Sequence, residues 1–422
     1  MEPRKASISA EYNGASATVQ VADYLSKFAY TDVASGTSDS ISLTLNDRDG
    51  KWRGPWFPQK GDRIQPAILT RNWTQEGDAS NFPCGTFCVD SFGFHGGRPV
   101  QLSLEGVALP ADKGFKATER TETYEKTNLQ EIGEKIAGRA GIALFYEAST
   151  VSIARVEQSK QDDCNFYNEL VTKYGLALKI YNDRLVVFSE ATYEAKAAKT
   201  TLTEEDFEPG WDWDTALTGT YTGVKYEYTN AEKDQTLTVE VGGGDRIYNC
   251  NEAADNATEA TLIALAAVNN ANKGTTTMTL TLTKAIPGLI ASDCVEISGG
   301  RLGKIAGKYF IKKIKHEVDA GGGYTMSLDL RKVETRISDA TASPDKEEEP
   351  EAAQELVKGG QYTLTETKKG YYTAAEALAG KAKPGHPTGV RRPGTYYIFN
   401  IAQGMLNLST SKTVPGSWIN PN

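Results

Sequence analysis

Residues 40–50, Ser-Ile-Ser-Leu-Thr-Leu-Asn-Asp-Arg-Asp-Gly, decide the fold class of this chain. Ile41, Leu43 and Leu45 alternate with polar residues, and a period of two predicts a β-strand that buries one face. The Asp-Arg-Asp-Gly that ends the stretch is typical of a polar turn. Because alternating runs recur along the chain, we predict a mainly β protein with an α+β insertion.

The alternating runs form two groups, separated by a segment with helical spacing. We predict a first small β-barrel over 1–112, an α+β domain over 113–190, and a second small β-barrel with a helical insertion over 191–336. The runs that support this division are 87–89, 100–104, 224–228, 237–241, 278–282, 294–297, 309–318 and 324–330.

Helix signals define the α+β segment. Thr127 and Gln130 resemble a capping box at the start of a helix that ends at Gly141. Asp162 is a good N-cap for a second helix, which ends at Gly175.

Two further signals complete this division. Asn182-Asp183 lies between two apolar runs and predicts a hairpin turn. Residues 256–272, rich in Ala and Leu, predict a third helix.

Charge separates the C-terminal end from the rest of the chain. The whole chain carries a net charge of −9, which makes it a poor candidate for nucleic-acid binding. Residues 358–422 contain eight basic and two acidic side chains, a net charge of +6, so the remainder carries −15. Between the two, 337–357 is acidic and almost devoid of apolar residues, which predicts an extended linker. We predict that 358–422 forms a small basic β module of SH3-like size.

The composition excludes two classes of protein. No apolar run approaches the ~18 residues of a membrane-spanning helix, and 20 Tyr, 13 Phe and 6 Trp supply enough apolar surface to exclude wholesale disorder. The five scattered cysteines do not form a disulfide framework. Because the N-terminus lacks an apolar signal region, we expect the protein to be assembled in the cytoplasm.

Catalytic candidates are sparse. The three histidines are His95, His316 and His386, and only His95 lies near cysteines, Cys84 and Cys88. A cysteine–histidine pair can act as a nucleophile, but His95 sits in a turn-like Phe-His-Gly-Gly and no nucleophile motif surrounds either cysteine. We therefore predict no catalytic residues, no cofactor and a protein that is not an enzyme.

Metal and phosphate motifs are incomplete. Cys84-x3-Cys88 lacks a second ligand pair at zinc spacing. If Gly50 is aligned as position six of a calcium loop, Leu45 and Trp56 fall where acidic ligands are required. Residues 299–304 contain Gly and Lys but not the whole phosphate-binding motif. We predict no metal site, and turns at both glycine-containing segments.

The C-terminal module carries the candidate partner-binding residues. Aromatic rings can stack on sugars or partner side chains, and neighbouring arginines favour an anionic polymer. The same rings can instead form the core of a very small barrel, which needs large side chains, so both interpretations stay open. The candidates are Tyr371, Tyr372, Arg391, Arg392, Tyr397 and Trp418.

Five stretches stand out in the first 336 residues: 34–52 (ASGTSDSISLTLNDRDGKW), 56–62 (WFPQKGD), 84–90 (CGTFCVD), 307–317 (GKYFIKKIKHE) and 323–331 (GYTMSLDLR). Together they resemble the baseplate hub proteins of contractile phage tails, the late control protein D family, and the resemblance covers about residues 1–336. Phage tails, tailocins and related contractile injection systems use this family. In the C-terminal module, 394–400 (GTYYIFN), 404–407 (GMLN) and 415–421 (PGSWINP) resemble small SH3-like or LysM-like modules of phage lytic and tail proteins.

The resemblance implies two similar β-barrels per chain and a homotrimeric ring. Three chains then present six barrels, so one face can match a sixfold tail tube and the other a threefold spike. The implied partners are the tail tube protein, the spike protein, other baseplate proteins and a tape measure protein in the lumen. The expected location is a virion or a phage-tail-like particle.

Two other functions stay open at this point. The chain can be a cell-wall hydrolase whose catalytic unit lies in 113–336, or a carbohydrate adhesin. In either case the C-terminal module would bind the bacterial cell wall, whereas in a hub it can bind the wall or another baseplate protein.

Overall fold

The computed structural model describes residues 3–108, 114–230, 235–250, 253–337, 357–364 and 366–421. Apart from its two end residues, the predicted linker at 337–357 lies outside the described residues. Strands make up 46% and helices 17% of the chain, which confirms a mainly β protein with a few helices. The chain divides into two compact units, Met1–Ser343 and Pro344–Asn422.

The larger unit contains the following elements. Its strands are β1 (Lys5–Tyr12), β2 (Ala15–Ser16), β3 (Leu25–Val33), β4 (Ser40–Asn46), β5 (Arg63–Arg71), β6 (Ala79–Pro83), β7 (Phe87–His95), β8 (Gln101–Val107), β9 (Arg120–Asn128), β10 (Ala143–Glu147), β11 (Ser152–Gln161), β12 (Ala177–Tyr181), β13 (Arg184–Phe188), β14 (Thr200–Leu202), β15 (Asp212–Thr215), β16 (Gly223–Asn230), β17 (Gln235–Gly242), β18 (Ile247–Cys250), β19 (Thr276–Leu282), β20 (Cys294–Ile297), β21 (Gly307–Asp319) and β22 (Tyr324–Lys332). Its α-helices are α1 (Thr18–Tyr24), α2 (Gly114–Ala117), α3 (Leu129–Arg139), α4 (Asp163–Lys173), α5 (Glu190–Ala195) and α6 (Ala257–Asn272).

A 14-stranded sheet joins strands that the sequence assigned to two separate barrels. Its main path is β15-β19-β22-β21-β3-β4-β8-β7-β5-β1-β2, with β20 beside β21, β14 beside β20 and β6 beside β5. The two halves meet where β21 pairs antiparallel with β3, and Val318 lies opposite Phe28. This central seam therefore connects residues about 290 positions apart.

The apolar residues of the alternating runs form the core of this sheet. Ile41, Leu43 and Leu45 of β4 are each about 1% exposed, whereas Ser42 faces outward and donates a hydrogen bond to Glu105 at 2.9 Å. The core also links the two halves through Trp73, whose indole N–H donates to the carbonyl of Ala285 at 2.7 Å.

A second apolar core lies in the insertion. It is surrounded by the sheet β10-β13-β12, the pair β9-β11, the sheet β17-β16-β18, and helices α3, α4 and α6. The sequence assigned β16–β18 and α6 to the second barrel, but their buried side chains belong to the core of the insertion.

The N-caps of the helices agree only in part with those predicted from the sequence. Asp162 caps α4 as predicted, by accepting the N–H of Asn165. The predicted third helix is α6, which Asn256 caps by accepting the N–H of Glu259. The capping box predicted at Thr127 and Gln130 is wrong, because Asn128 is the N-cap of α3 and accepts the N–H of Glu131 at 2.9 Å. Both residues belong to β9, but Asn128 is its last residue and its side chain reaches this amide, whereas the Thr127 hydroxyl donates to the Glu131 carboxylate at 2.6 Å.

The predicted hairpin turn is confirmed. Asn182 and Asp183, with φ of 48° and 56°, connect β12 and β13. Both residues tolerate the left-handed region that a two-residue turn of this kind requires.

The smaller unit is built from short antiparallel strands and one helix. Its strands are β23 (Gln361–Leu364), β24 (Lys368–Gly370), β25 (Gly389–Arg391), β26 (Gly394–Ala402), β27 (Met405–Ser409) and β28 (Ser417–Ile419), and its helix is α7 (Ala374–Ala379). The strands form a sheet β23-β26-β27-β28 and a pair β24-β25. Leu364, Ile398, Leu406, Leu408 and Ile419 form the core of the sheet.

Candidate functional site

The thiol and imidazole candidates do not form a reactive centre. Cys84 is fully buried and burial raises the pKa of its thiol, and burial also raises the pKa of Cys88. His95 lies exposed at the end of β7. A thiol with a raised pKa is protonated at neutral pH and is a poor nucleophile.

The glycine-containing segments are turns, as predicted. The buried carboxylate of Asp47 accepts hydrogen bonds from the Trp52 amide at 3.0 Å and the Arg53 guanidinium at 2.6 Å. Residues 299–304 lie between the antiparallel strands β20 and β21. Within the described ranges, no three His, Cys, Asp or Glu side chains are placed to hold a metal ion.

None of the helices described here is both long enough and apolar enough to cross a membrane.

A buried charge cluster joins the insertion to the large sheet. Lys179 of β12 forms ion pairs with Asp32 of β3 and with Asp39, the latter at 3.4 Å. Burial raises the pKa of Asp39, and the two carboxylates hold the pKa of Lys179 above its ordinary value despite burial. Asp32 also accepts the N–H of Ala291 at 2.8 Å. The cluster therefore connects three separate segments.

A second charge cluster surrounds α5. Arg331 of β22 is 3% exposed and pairs with Glu190 at 3.0 Å and Glu194 at 2.5 Å. Lys273 pairs with Glu190 at 2.6 Å, and Arg336 with Glu194 at 2.7 Å. Burial opposes ionisation of both glutamates, but these cations outweigh it and lower their pKa values. Because every carboxylate is paired, we interpret this cluster as structural.

Two of the predicted partner-binding residues pack together in the smaller unit, the buried Tyr371 and the half-buried Trp418. Tyr371 and Trp418 lie opposite one another and exchange backbone hydrogen bonds at 2.7 and 2.9 Å. Tyr371 forms a buried cluster with Ala377 of α7 and Met405, Trp418 packs against this cluster, and the Tyr371 hydroxyl donates to the carbonyl of Gly380 at 2.8 Å. Tyr371 is 7% exposed, so these rings stabilise the module.

The ring of Tyr372, unlike that of Tyr371, faces solvent. It is 61% exposed, and its ring lies 4.9 Å from that of His386. His386 in turn forms a 2.6 Å hydrogen bond with Glu376, which also accepts the Lys383 amide at 2.9 Å. Burial opposes ionisation of Glu376, but the hydrogen bonds from Lys383, His386 and Thr373 lower its pKa. Tyr372 is therefore an exposed ring on a well-supported loop.

The other three candidates lie around β26. The guanidinium of Arg391 lies 5.6 Å from the ring centre of Tyr396, while Arg392 is exposed. Tyr397 is half-buried, and the Lys412 ammonium lies 5.1 Å from its ring centre. The six candidates thus divide into a packed pair, an exposed ring and three residues around β26, rather than one continuous platform.

The sequence interpretation missed an aromatic surface on the larger unit. Phe57 is 47% exposed, and its ring centre lies 5.5 Å from Phe92 and 5.8 Å from Phe94 of β7. Lys51 lies 4.8 Å from the ring centre of the adjacent Trp56. The segment 48–60 carries four basic residues and one acidic residue. Aromatic residues mixed with cations are typical of protein-docking surfaces, and the Trp-Arg-Gly-Pro-Trp-Phe run at 52–57 was the available signal.

The chain resembles known proteins in its fold but not in its sequence. By sequence, no family model and no curated protein matches this chain. Among solved structures, the tail protein from Neisseria meningitidis MC58 aligns with a TM-score of 0.59 and 12% identity, over 78% of this chain and 97% of that protein. The 43 kDa tail protein of prophage MuSo2 from Shewanella oneidensis aligns with a TM-score of 0.58 and 14% identity, over 78% and 98%.

The chain has the fold of phage tail proteins. A chain of the lidded Francisella PdpA–VgrG complex shares this phage tail fold, with a TM-score of 0.51 and 8% identity, over 89% of this chain and 56% of that one. These neighbours agree with the resemblance to hub proteins. At such low identity the phage tail fold alone is shared.

Proposed function

We propose that this chain is a structural, non-enzymatic hub of a contractile tail baseplate. The observation that carries the proposal is the fold match, which spans 97% and 98% of two phage tail proteins. The raised thiol pKa values of the buried Cys84 and the half-buried Cys88 support a role without chemistry.

The proposed assembly is a homotrimeric ring. Two small β-barrels per chain, within 1–112 and 191–336, would give six barrels around the axis and so adapt a sixfold tail tube to a threefold spike. The proposed partners are the tail tube, the spike, other baseplate proteins and a tape measure protein in the lumen. The site would be the baseplate of a virion or tailocin-like particle assembled in the bacterial cytoplasm.

The symmetry of the particle tests this proposal. The full chain should contribute three 45.8 kDa copies to each particle, either alone or in complex with its cognate tube and spike proteins. Electron microscopy should then reveal a threefold ring with an axial channel. A monomer under all these conditions would overturn the hub.

We further propose that the basic module at 358–422 binds an anionic partner. Lys369, Arg392 and Lys412 are exposed, and the exposed ring of Tyr372 lies in the same module. The partner is either an anionic cell-wall polymer or the acidic face of a baseplate protein. Binding of the full chain to purified host cell walls, compared with binding to particles that lack it, distinguishes these two partners and would also reveal an adhesin.

A further inference from the structure

Several strand edges of the 14-stranded sheet have no partner strand within the described part of the chain, and two of them, on β7 and β15, differ in charge. The first is the second half of β7. Up to Val89, this strand is hydrogen-bonded on both sides, to β8 and to Gly61 and Asp62. From Ser91 to His95 the described residues pair it only with β8. About 16 Å of strand edge is therefore open, at ~3.3 Å per residue.

Positive charge and aromatic rings border the open edge of β7. Phe57 packs on Phe92 and Phe94 of this half-strand and is itself 47% exposed. Lys60 is exposed and precedes Gly61, which donates its N–H to the carbonyl of Val89. Lys51 is also exposed and lies over the ring of Trp56, the residue before Phe57.

The second edge is β15, the end strand of the sheet path. It pairs with β19 through Asp212–Thr215, and its other side has no strand among the described residues. Residues 202–215 contain six acidic residues and no basic residue. Asp212 and Asp214 are exposed, and the neighbouring Leu217 is 75% exposed. This edge is therefore acidic, with an exposed apolar side chain beside it.

The two edges match in three properties. Each offers a short run of unpaired backbone groups, which strand addition satisfies. Each has a large apolar side chain at its border, Phe57 on one side and Leu217 on the other. Their charges are opposite, and complementary charge directs association and fixes register.

Within one copy the two edges are not paired, and six strands separate β15 from β7 along the sheet path. Each edge is therefore open to another chain. An interface that joins different surfaces of two identical chains is head-to-tail, and it closes into a ring when the rotation permits.

We propose that β15 of one copy adds to the open edge of β7 in the next copy. The lysines at 51 and 60 then face the aspartates at 212 and 214 across the interface. This assignment rests on the proposed ring and names the surfaces that build it.

A charge exchange on the full chain tests the interface. Lys51→Glu with Lys60→Glu makes the β7 edge acidic, and Asp212→Lys with Asp214→Lys makes the β15 edge basic. Each double variant should weaken self-association at least ~10-fold, because like charges then face each other. The quadruple variant restores opposite charges and should return association to within about threefold of the unaltered chain. Sedimentation at low and at physiological salt measures these changes.

A matched control separates the interface from net charge. Glu134→Lys with Glu157→Lys reverses two exposed carboxylates of the insertion and should leave association unchanged. Equal weakening by this control, or a quadruple variant that does not assemble, would overturn the assignment.

The experiment also distinguishes the two proposals. If the unaltered chain forms a ring that neither double variant disturbs, the assignment of the edges is wrong and the hub stands. If the unaltered chain does not self-associate, alone or with tube and spike proteins, both proposals are wrong.

Discussion

The ring of His316 lies face to face with the ring of Tyr30, with centres 5.4 Å apart and planes 13° from parallel. The two residues are opposite one another in the seam between β21 and β3. His316 is fully buried, and its Nδ1 forms a 2.8 Å hydrogen bond with the hydroxyl of Tyr324. Burial lowers the pKa of His316 to about 4, while nearby Asp32 acts in the opposite direction. The seam therefore contains a histidine that is neutral at physiological pH.

Acid should weaken the larger unit through this histidine. Below pH 6.5 the unfolded chain binds a proton that folded His316 takes up only near pH 4. Stability is therefore complete above pH 6.5 and falls toward pH 4, by about 3 kcal/mol in total. The measurement is the urea midpoint between pH 4 and 7.5. His316→Phe should flatten this dependence, and His95→Asn should not. An unchanged slope in the phenylalanine variant would contradict the prediction.

Removing the buried Lys179 ammonium between the insertion and the sheet should lower the stability of the larger unit. Lys179→Met leaves Asp32 and Asp39 buried without their ion pair, and we expect a loss of about 3–5 kcal/mol in the free energy of unfolding. Lys313→Met removes an exposed pair with Asp329 and should cost ~1 kcal/mol or less. Chemical denaturation of both variants measures the difference, and similar values would show that the buried cluster is not stabilising.

The order of the loop 371–386 in the smaller unit should depend on the carboxylate of Glu376. Glu376→Ala removes the acceptor for Lys383 and His386, and it removes the carboxylate that completes the capping box of α7 with the N-cap Thr373. Hydrogen exchange should then quicken in 371–386, while strand β27 keeps more of its protection. Glu366→Ala, at an exposed position, serves as the control. Unchanged exchange in the Glu376 variant would mean that packing on α7 alone holds the loop.

Salt should weaken binding of the basic module to its anionic partner. Screening shortens the reach of exposed charges to ~8 Å at physiological ionic strength, so retention on cell walls or on particles should fall as salt rises. Arg392→Ala should reduce binding at low salt, whereas Arg155→Ala in the larger unit should not. Binding that is equally strong at high salt in the Arg392 variant would rule out an electrostatic contact.

Purified protein should release no soluble fragments from peptidoglycan. The reason is that the sequence contains no nucleophile or zinc motif and that burial keeps the Cys84 thiol protonated. Assays should cover pH 5–8 with a known hydrolase as positive control. Fragment release that a single substitution abolishes would support the hydrolase alternative.

Local structure was predictable where short-range signals decide it. Residue type and spacing predict the strand of Ile41, the N-cap Asp162 and the turn at Asn182, because each depends on neighbours within a few positions. The cap of α3 differed by one residue because Thr127 and Asn128 are both good caps, and only the end of β9 decides between them.

Long-range pairing was not predictable from the sequence. Nothing in the alternation of β3 or β21 specifies that they pair across about 290 residues. The candidate aromatics were ambiguous for a related reason. Tyr371 and Tyr372 are adjacent and alike in sequence, but Tyr371 pairs with Trp418 and is buried, whereas Tyr372 lies in the bend that follows and is exposed.

During synthesis, β3 cannot complete its pairing until β21 has been made. Because β3 pairs with residues 313–319, one edge of β3 stays open while about 290 further residues are added. At ~5–20 residues per second this takes roughly 15–60 s. Throughout that time the nascent chain exposes a strand edge that can pair with another nascent chain, so we expect chaperone demand during translation to be highest before β21 leaves the ribosome.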